Sequence, residues 1–238
     1  MGDLNGDDRE SLRHISPRLK DLISEMLASL KEIGIHCDRC LGTQRYQGNV
    51  VLMLVDASFT SIGLNYFKSI VPKIIEFRKR FGMRSLKELA NAEIENLLEI
   101  WRNRRSWNVA IESARYLMKL SDNDREALRL WAKSSRLENW EEDPIGKISG
   151  VGLITYQYLR MMGGIDTVMP DKIVRRVLSK IFSKAGVETP KNDIEFVKLV
   201  ESVAKHCNCR AIELCWAPWL LQYKEEERRK YLQMLNDL

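Results

Sequence analysis

The 238-residue chain has no apolar run near the roughly 20 residues that a membrane-spanning helix needs, which argues against a spanning segment. Cysteine is scarce. Cys37, Cys40, Cys207, Cys209 and Cys215 make five, an odd number poorly suited to a closed disulfide framework, so free thiols are expected. Met1 to Glu10 is short and acidic, with no basic region leading into an apolar stretch, so neither a signal nor a transit peptide is expected and the chain should stay inside the cell. There is no repeat at solenoid spacing, no low-complexity tract and no flexible linker, which excludes stacked-repeat and disordered classes. Nor is there a large excess of one charge. With 38 Lys+Arg against 33 Asp+Glu, the net charge of +5 permits a local basic face for a polyanion but names no partner.

What the chain does have is helical periodicity. Leu19, Leu22, Ile23, Met26, Leu27, Leu30 and Ile33 fall at the three-four spacing of one helix face. The same rhythm returns in Ile70, Ile74, Phe77 and Phe81, in Ile94, Leu97, Leu98 and Trp101, and in Ile194, Val197, Val200 and Ala204. Start signals agree: Ser85 with Glu88 spells a capping box, Asp122 precedes the segment bearing Leu128 and Trp131, and Asp143-Pro144 sets a cap before a first-turn proline. Only Val50 to Val55 looks strand-like, and an apolar run that short is not assigned by periodicity alone. The expected class is all-α.

The densest segment is DPIGKISGVGLITYQYLRMMGGIDTVMPDKIVRRV, residues 143–177. It predicts a short helix over Pro144 to Ile148, a turn through Ser149, Gly150, Val151 and Gly152, and a second helix from Leu153 to about Met162. Two glycines around one apolar residue allow a tight turn with Val151 packed between the helices. The exposed amides of Gly150, Gly152 and the next helix turn then favour an anion such as a phosphate. A plain helix-helix turn is the simpler reading of Gly-Val-Gly alone. After Gly163-Gly164 and a loop, Asp171 stands at the N-cap of a helix carrying Ile173, Val177 and Ile181.

These residues resemble the helix-hairpin-helix (HhH-GPD) DNA glycosylase superfamily, the endonuclease III-like enzymes. The family's Leu-Pro-Gly-Val-Gly hairpin is similar to Ile148 through Gly152. Its helix-opening aspartate, in the form Val-Asp-x-x-x-x-Arg-Val, is matched at Asp171, Arg176 and Val177. Residues 56–62 resemble the helix after the family's first linker, and Arg102 to Leu117 its basic segment before the hairpin, so the likeness runs from about Leu19 to Tyr223.

The resemblance implies a two-lobed helix-hairpin-helix fold with an interlobe cleft: a six-helix lobe over residues 49–164, and a second lobe from residues 1–48 with 165–238. It implies base excision from double-stranded DNA carrying a modified or mismatched base, by a monomer, at the nucleoid if the source is prokaryotic. Asp171 would be the catalytic carboxylate, since cleaving an N-glycosidic bond builds positive charge on the sugar that a fixed carboxylate stabilises. Gly150, Val151, Gly152, Thr155, Lys172 and Arg176 would bind DNA phosphates, with Arg102, Arg104 and Arg105 nearby. Ser58 stands where relatives place a gap-filling glutamine, and Trp107 and Tyr156 are candidate base-pocket residues among Trp101, Trp131 and Trp140. Asp56 is a second candidate pocket carboxylate, with a surface or capping role the simpler expectation.

Two departures sharpen the expectation. Lyase-competent relatives carry a lysine two residues after the second hairpin glycine, where this chain has Ile154. Iron-sulfur relatives carry four C-terminal cysteines, where this chain has three and only the Cys209 to Cys215 gap matches. The implied cofactor set is therefore empty, with no iron-sulfur cluster and no metal ligands; a monovalent cation at the hairpin carbonyls is left open. The alternatives are a non-catalytic helix-hairpin-helix DNA-binding protein and, further off, a helical protein-interaction domain. For lack of the lysine, borohydride should trap no covalent adduct between the protein and DNA containing an abasic site. An adduct on denaturing gels would contradict a monofunctional enzyme.

Overall fold

The computed structural model describes residues 17–30, 32–60 and 62–238; Met1 to Glu10 and Ser61, which carried part of the sequence reading, lie outside them. Every regular element among the described residues is helical, and none is long and apolar enough to cross a membrane. The helices are α1 (Pro17–Ala28), α2 (Ile33–Leu41), α3 (Val50–Thr60), α4 (Val71–Phe81), α5 (Leu86–Ala90), α6 (Ile94–Leu97), α7 (Arg104–Leu117), α8 (Asp124–Ser134), α9 (Leu153–Met162), α10 (Lys172–Lys184), α11 (Asp193–Cys207), α12 (Ala211–Leu221) and α13 (Glu225–Asp237). They group into two compact units, one from residues up to Gly34 with Asp166–Leu232, the other from Ile35–Ile165 with Gln233–Leu238.

The second unit is built around α3, against which α4, α5, α7, α8 and α9 pack. All eleven α3 residues are buried. That burial explains why Val50 to Val55 reads like a strand yet is a helix: a segment surrounded on every side is apolar on every face, and its 3.6-residue period disappears. The capping box of Ser85 and Glu88 forms at the start of α5. The start of α8 lies one residue beyond the expected position, where Asn123 rather than Asp122 accepts from the Glu126 amide at 3.0 Å.

At the centre of this unit α3 carries Asp56, fully buried, which Arg45 meets at 3.1 Å. Asp56 Oδ2 also accepts hydroxyl bonds from Tyr46 at 2.7 Å, Tyr66 at 3.0 Å and Tyr158 at 2.7 Å. Arg45 in turn donates to the hydroxyls of Tyr66 and Tyr158. The backbone that delivers Arg45 is strained: Thr43, Tyr46 and Gln47 all have left-handed φ, at 52°, 54° and 58°. Arg125 of α8 clamps that turn by donating to the carbonyls of Thr43 at 2.9 Å and Gly42 at 3.1 Å. Burial, and then Arg45, push the His36 imidazole well below its ordinary pKa, so it sits neutral beside the guanidinium.

In the first unit α10 packs on α12 and α1, and α11 packs on α12. Leu19, Ile23 and Met26 of α1 turn one face inward, as their spacing predicts, toward a core that includes Val174, Leu178, Phe182, Val197, Val200 and Trp216. The segment between α9 and α10 is pinned to this unit in three places. Asp166 accepts from the first amides of α12, Ala211 at 3.2 Å and Ile212 at 2.9 Å. Thr167 donates to Glu201 at 2.6 Å, and the Met169 amide donates to Cys215 Sγ at 3.4 Å.

Removing one partner of a buried ion pair leaves the other charge unsatisfied and costs about 3–5 kcal/mol. Arg45→Met or Asp56→Leu alone should therefore lower unfolding free energy by about that amount in urea titrations. The double substitution should be less destabilising than either single one, and additive losses would contradict the coupling.

Candidate functional site

Asp171 opens α10, as its sequence context predicts, and is 8 % exposed. Its Oδ1 accepts from the amides of Ile173 at 2.7 Å and Val174 at 3.0 Å, satisfying two of the donors that a helix start leaves unpaired. Its Oδ2 accepts from the indole N–H of Trp219 on α12 at 2.8 Å. No cation is among these partners. Burial raises the carboxyl pKa above its ordinary value, and the Val174 amide, Trp219 and the Ile173 amide pull the other way without cancelling it. Asp171 is thus both a cap and a desolvated carboxylate, while Asp56 is paired with Arg45.

Lys172 and Arg176 are exposed on α10, one helical turn apart. Arg175 between them is committed to the protein: it pairs with Asp193 at 2.9 Å and lies over the Phe196 ring at 4.4 Å.

In the other unit, residues 143–150 form a series of turns, so the helix expected over Pro144 to Ile148 is absent. Asp143 therefore caps no helix; its Oδ1 holds the turn, accepting from the Ile145 amide at 2.8 Å and from the Trp131 indole at 2.9 Å. Helix does not follow because the chain folds tightly back on itself: a Cβ at Gly146 would lie 1.7 Å from the Trp140 carbonyl oxygen. Gly150 has φ +108°, and a Cβ there would lie 2.8 Å from Arg105 Cγ and 2.9 Å from Val109 Cγ2. Only glycine meets both conditions. Gly152, in contrast, is extended, exposed and clear of neighbours; it is the N-cap of α9 and supplies no side chain to the helix amides. Val151 is half-buried.

Of the three arginines before the turn, Arg105 lies against Gly150, Arg104 pairs with Glu95 at 2.8 Å, and Arg102 is exposed. Thr155, expected at a phosphate, is buried instead. The expected base-pocket residues are spent on the core of their unit. Ser58 donates to the Leu54 carbonyl at 2.7 Å. Trp107 is fully buried, donates to the Trp101 carbonyl at 2.9 Å and meets Phe59 edge-on at 4.9 Å. Tyr156 is buried edge-on against Trp131, and burial pushes its hydroxyl up to about 12. Helical spacing gave these aromatics to the core, where large side chains bury the most area.

The five cysteines are free thiols, Cys209 half-buried and the others buried, and no group of three or more His, Cys, Asp or Glu among the described residues is arranged to hold a metal ion. Burial pushes the Cys40 thiol up to about 11, which makes it a poor nucleophile. Trp219 and Asp166 carry no local sequence signal, since no short-range pattern ties residue 219 to residue 171 or residue 166 to a helix that starts at residue 211. No family model, curated protein or solved structure matches the chain.

The Asp171 shift fixes the sign of a pH effect. An acid whose folded pKa lies above its unfolded value contributes stability that is fully present below the unfolded pKa and lost as pH rises through the folded one. Asp171→Asn removes that titration while retaining a good cap. From pH 4 to pH 7, the stability of Asp171→Asn relative to wild type should rise in denaturant titrations; a fall over that range would contradict a raised pKa.

Proposed function

We propose that the protein is a DNA N-glycosylase that hydrolyses the bond between deoxyribose and a modified or mismatched base turned out of duplex DNA, without lyase activity. The two-lobed helix-hairpin-helix arrangement belongs to the same proposal. The observation that carries it is Asp171: a carboxylate held out of water with hydrogen bonds and no cation, kept at a cost to stability that a surface cap would not incur. Such a group is suited to a sugar that gains positive charge as its base departs, because its charge is not already neutralised and it needs no reorganisation. The nucleophile is then water, positioned by the same carboxylate; Ile154 offers no amine.

Phosphate binding is supported by features that carry no sequence information. The start of α9 has no side-chain cap and an unobstructed Gly152, so its amides and dipole suit an anion. Arg105 beside Gly150 adds positive charge to that helix start, and Lys172 and Arg176 are separately exposed beside Asp171 in the other unit.

The test presupposes no lesion. Free bases released from separately deaminated, oxidised and alkylated genomic DNA are measured by mass spectrometry for wild type and Asp171→Asn. Release of a modified base by wild type, reduced about 100-fold or more in the variant, is expected, with DNA binding retained in both. Binding without release from any pool would replace the enzyme with a non-catalytic DNA-binding module.

A further inference from the structure

The carboxylate of Asp171 offers four lone-pair positions, and the protein occupies three of them. Both positions on Oδ1 are taken by the Ile173 and Val174 amides, and one on Oδ2 by the Trp219 indole. What remains is a single acceptor position on Oδ2, on the oxygen that Trp219 holds. We propose that Trp219 is the positioning residue of Asp171, its N–H fixing the carboxylate plane so that this one Oδ2 lone pair is presented to the reacting sugar or its water.

The fold gives Trp219 the means to do this. It is 7 % exposed, on α12, one helical turn from Trp216, whose ring centroid lies 6.4 Å away. The segment that ends at Asp171 is tied to the same helix twice, by Asp166 on the amides of Ala211 and Ile212 and by the Met169 amide on Cys215. The helix bearing the indole and the backbone bearing the carboxylate are therefore held in one register, and the 2.8 Å bond joins two side chains whose main chains are already fixed. A bond made this way costs little ordering entropy, which suits an orienting contact.

The same bond acts on ionisation. The N–H favours the charged carboxylate, in opposition to burial. Around Asp171 the influences are burial, its own helix amides and this indole, with no lysine, arginine, histidine or second carboxylate of α1, α10 or α12 among them. Lys172 is exposed and Arg175 is engaged with Asp193. Removal of the N–H should therefore raise the Asp171 pKa further.

The catalytic part of this inference rests on the glycosylase reading, so the experiment includes a readout that does not. Two variants remove the N–H: Trp219→Phe, and replacement of Trp219 by β-(3-benzothienyl)alanine, which keeps the shape and substitutes sulfur for the nitrogen. In each full-length protein the Asp171 carboxyl is titrated by carbon-13 NMR. Base release is followed against pH on the DNA pool that wild type acts on. The expected result is an Asp171 pKa raised by about one unit in both variants, equivalent to a tenfold change in the ionisation equilibrium. The acid limb of kcat should move up by the same amount, with kcat reduced about tenfold or more at neutral pH and KM within about twofold. An Asp171 titration unmoved in the benzothienyl variant overturns the proposal, and so does a moved titration with an unmoved acid limb and rate, which would leave Trp219 a packing residue. Absence of release by wild type would refute the glycosylase reading instead, and the titration would still decide whether Trp219 governs the carboxylate.

Discussion

The Arg45–Asp56 ion pair is the interaction around which the larger unit is organised. Asp56 lies on the central helix α3, and its satisfaction draws Tyr46, Tyr66 and Tyr158 from three separate segments onto one carboxylate oxygen. Arg45 reaches it from a left-handed turn that Arg125 holds by its carbonyls. Backbone strain at Thr43, Tyr46 and Gln47 persists because the buried charge demands that its partners stand there. Taking both charges out of water offsets much of what their attraction gains, so the pair is held by the hydroxyls that satisfy the remaining acceptor positions rather than by its Coulomb energy alone.

Asp171 presents the opposite solution to the same physical problem. Each carboxylate is out of water, and each has its oxygens hydrogen-bonded by the protein. At Asp56 a guanidinium cancels the charge; at Asp171 amides and an indole stabilise it without cancelling it. A cancelled charge is inert toward a cationic transition state, whereas a solvated-by-protein charge can act on one. That contrast gives Asp171 a chemical reading and Asp56 a structural one, although both are aspartates in helix-rich surroundings.

Local chemistry in the sequence was enough for features that depend on near neighbours. Ser85 with Glu88, Asp171 before Lys172, and the turn ending in Gly152 before Leu153 each work through residues within four positions. The sequence misled where tertiary packing decided. Val50 to Val55 lost its helical period to burial on every side, and Pro144 to Ile148 became turns because Gly146 passes so close to the Trp140 carbonyl. Ser58, Trp107 and Tyr156 went to the core, since an amphipathic pattern tells which face is apolar but not whether that face lines a pocket. Trp219 was invisible because its partner lies 48 residues away in the chain.

The central claim is that the uncancelled charge of Asp171 does the chemistry. It is tested most directly by overlaying two curves for the wild-type protein: single-turnover base release against pH, and the Asp171 carboxyl titration by NMR. The account predicts that release falls with acid along the Asp171 curve, at a midpoint above the ordinary aspartate value. Release that continues undiminished once Asp171 is protonated would contradict it.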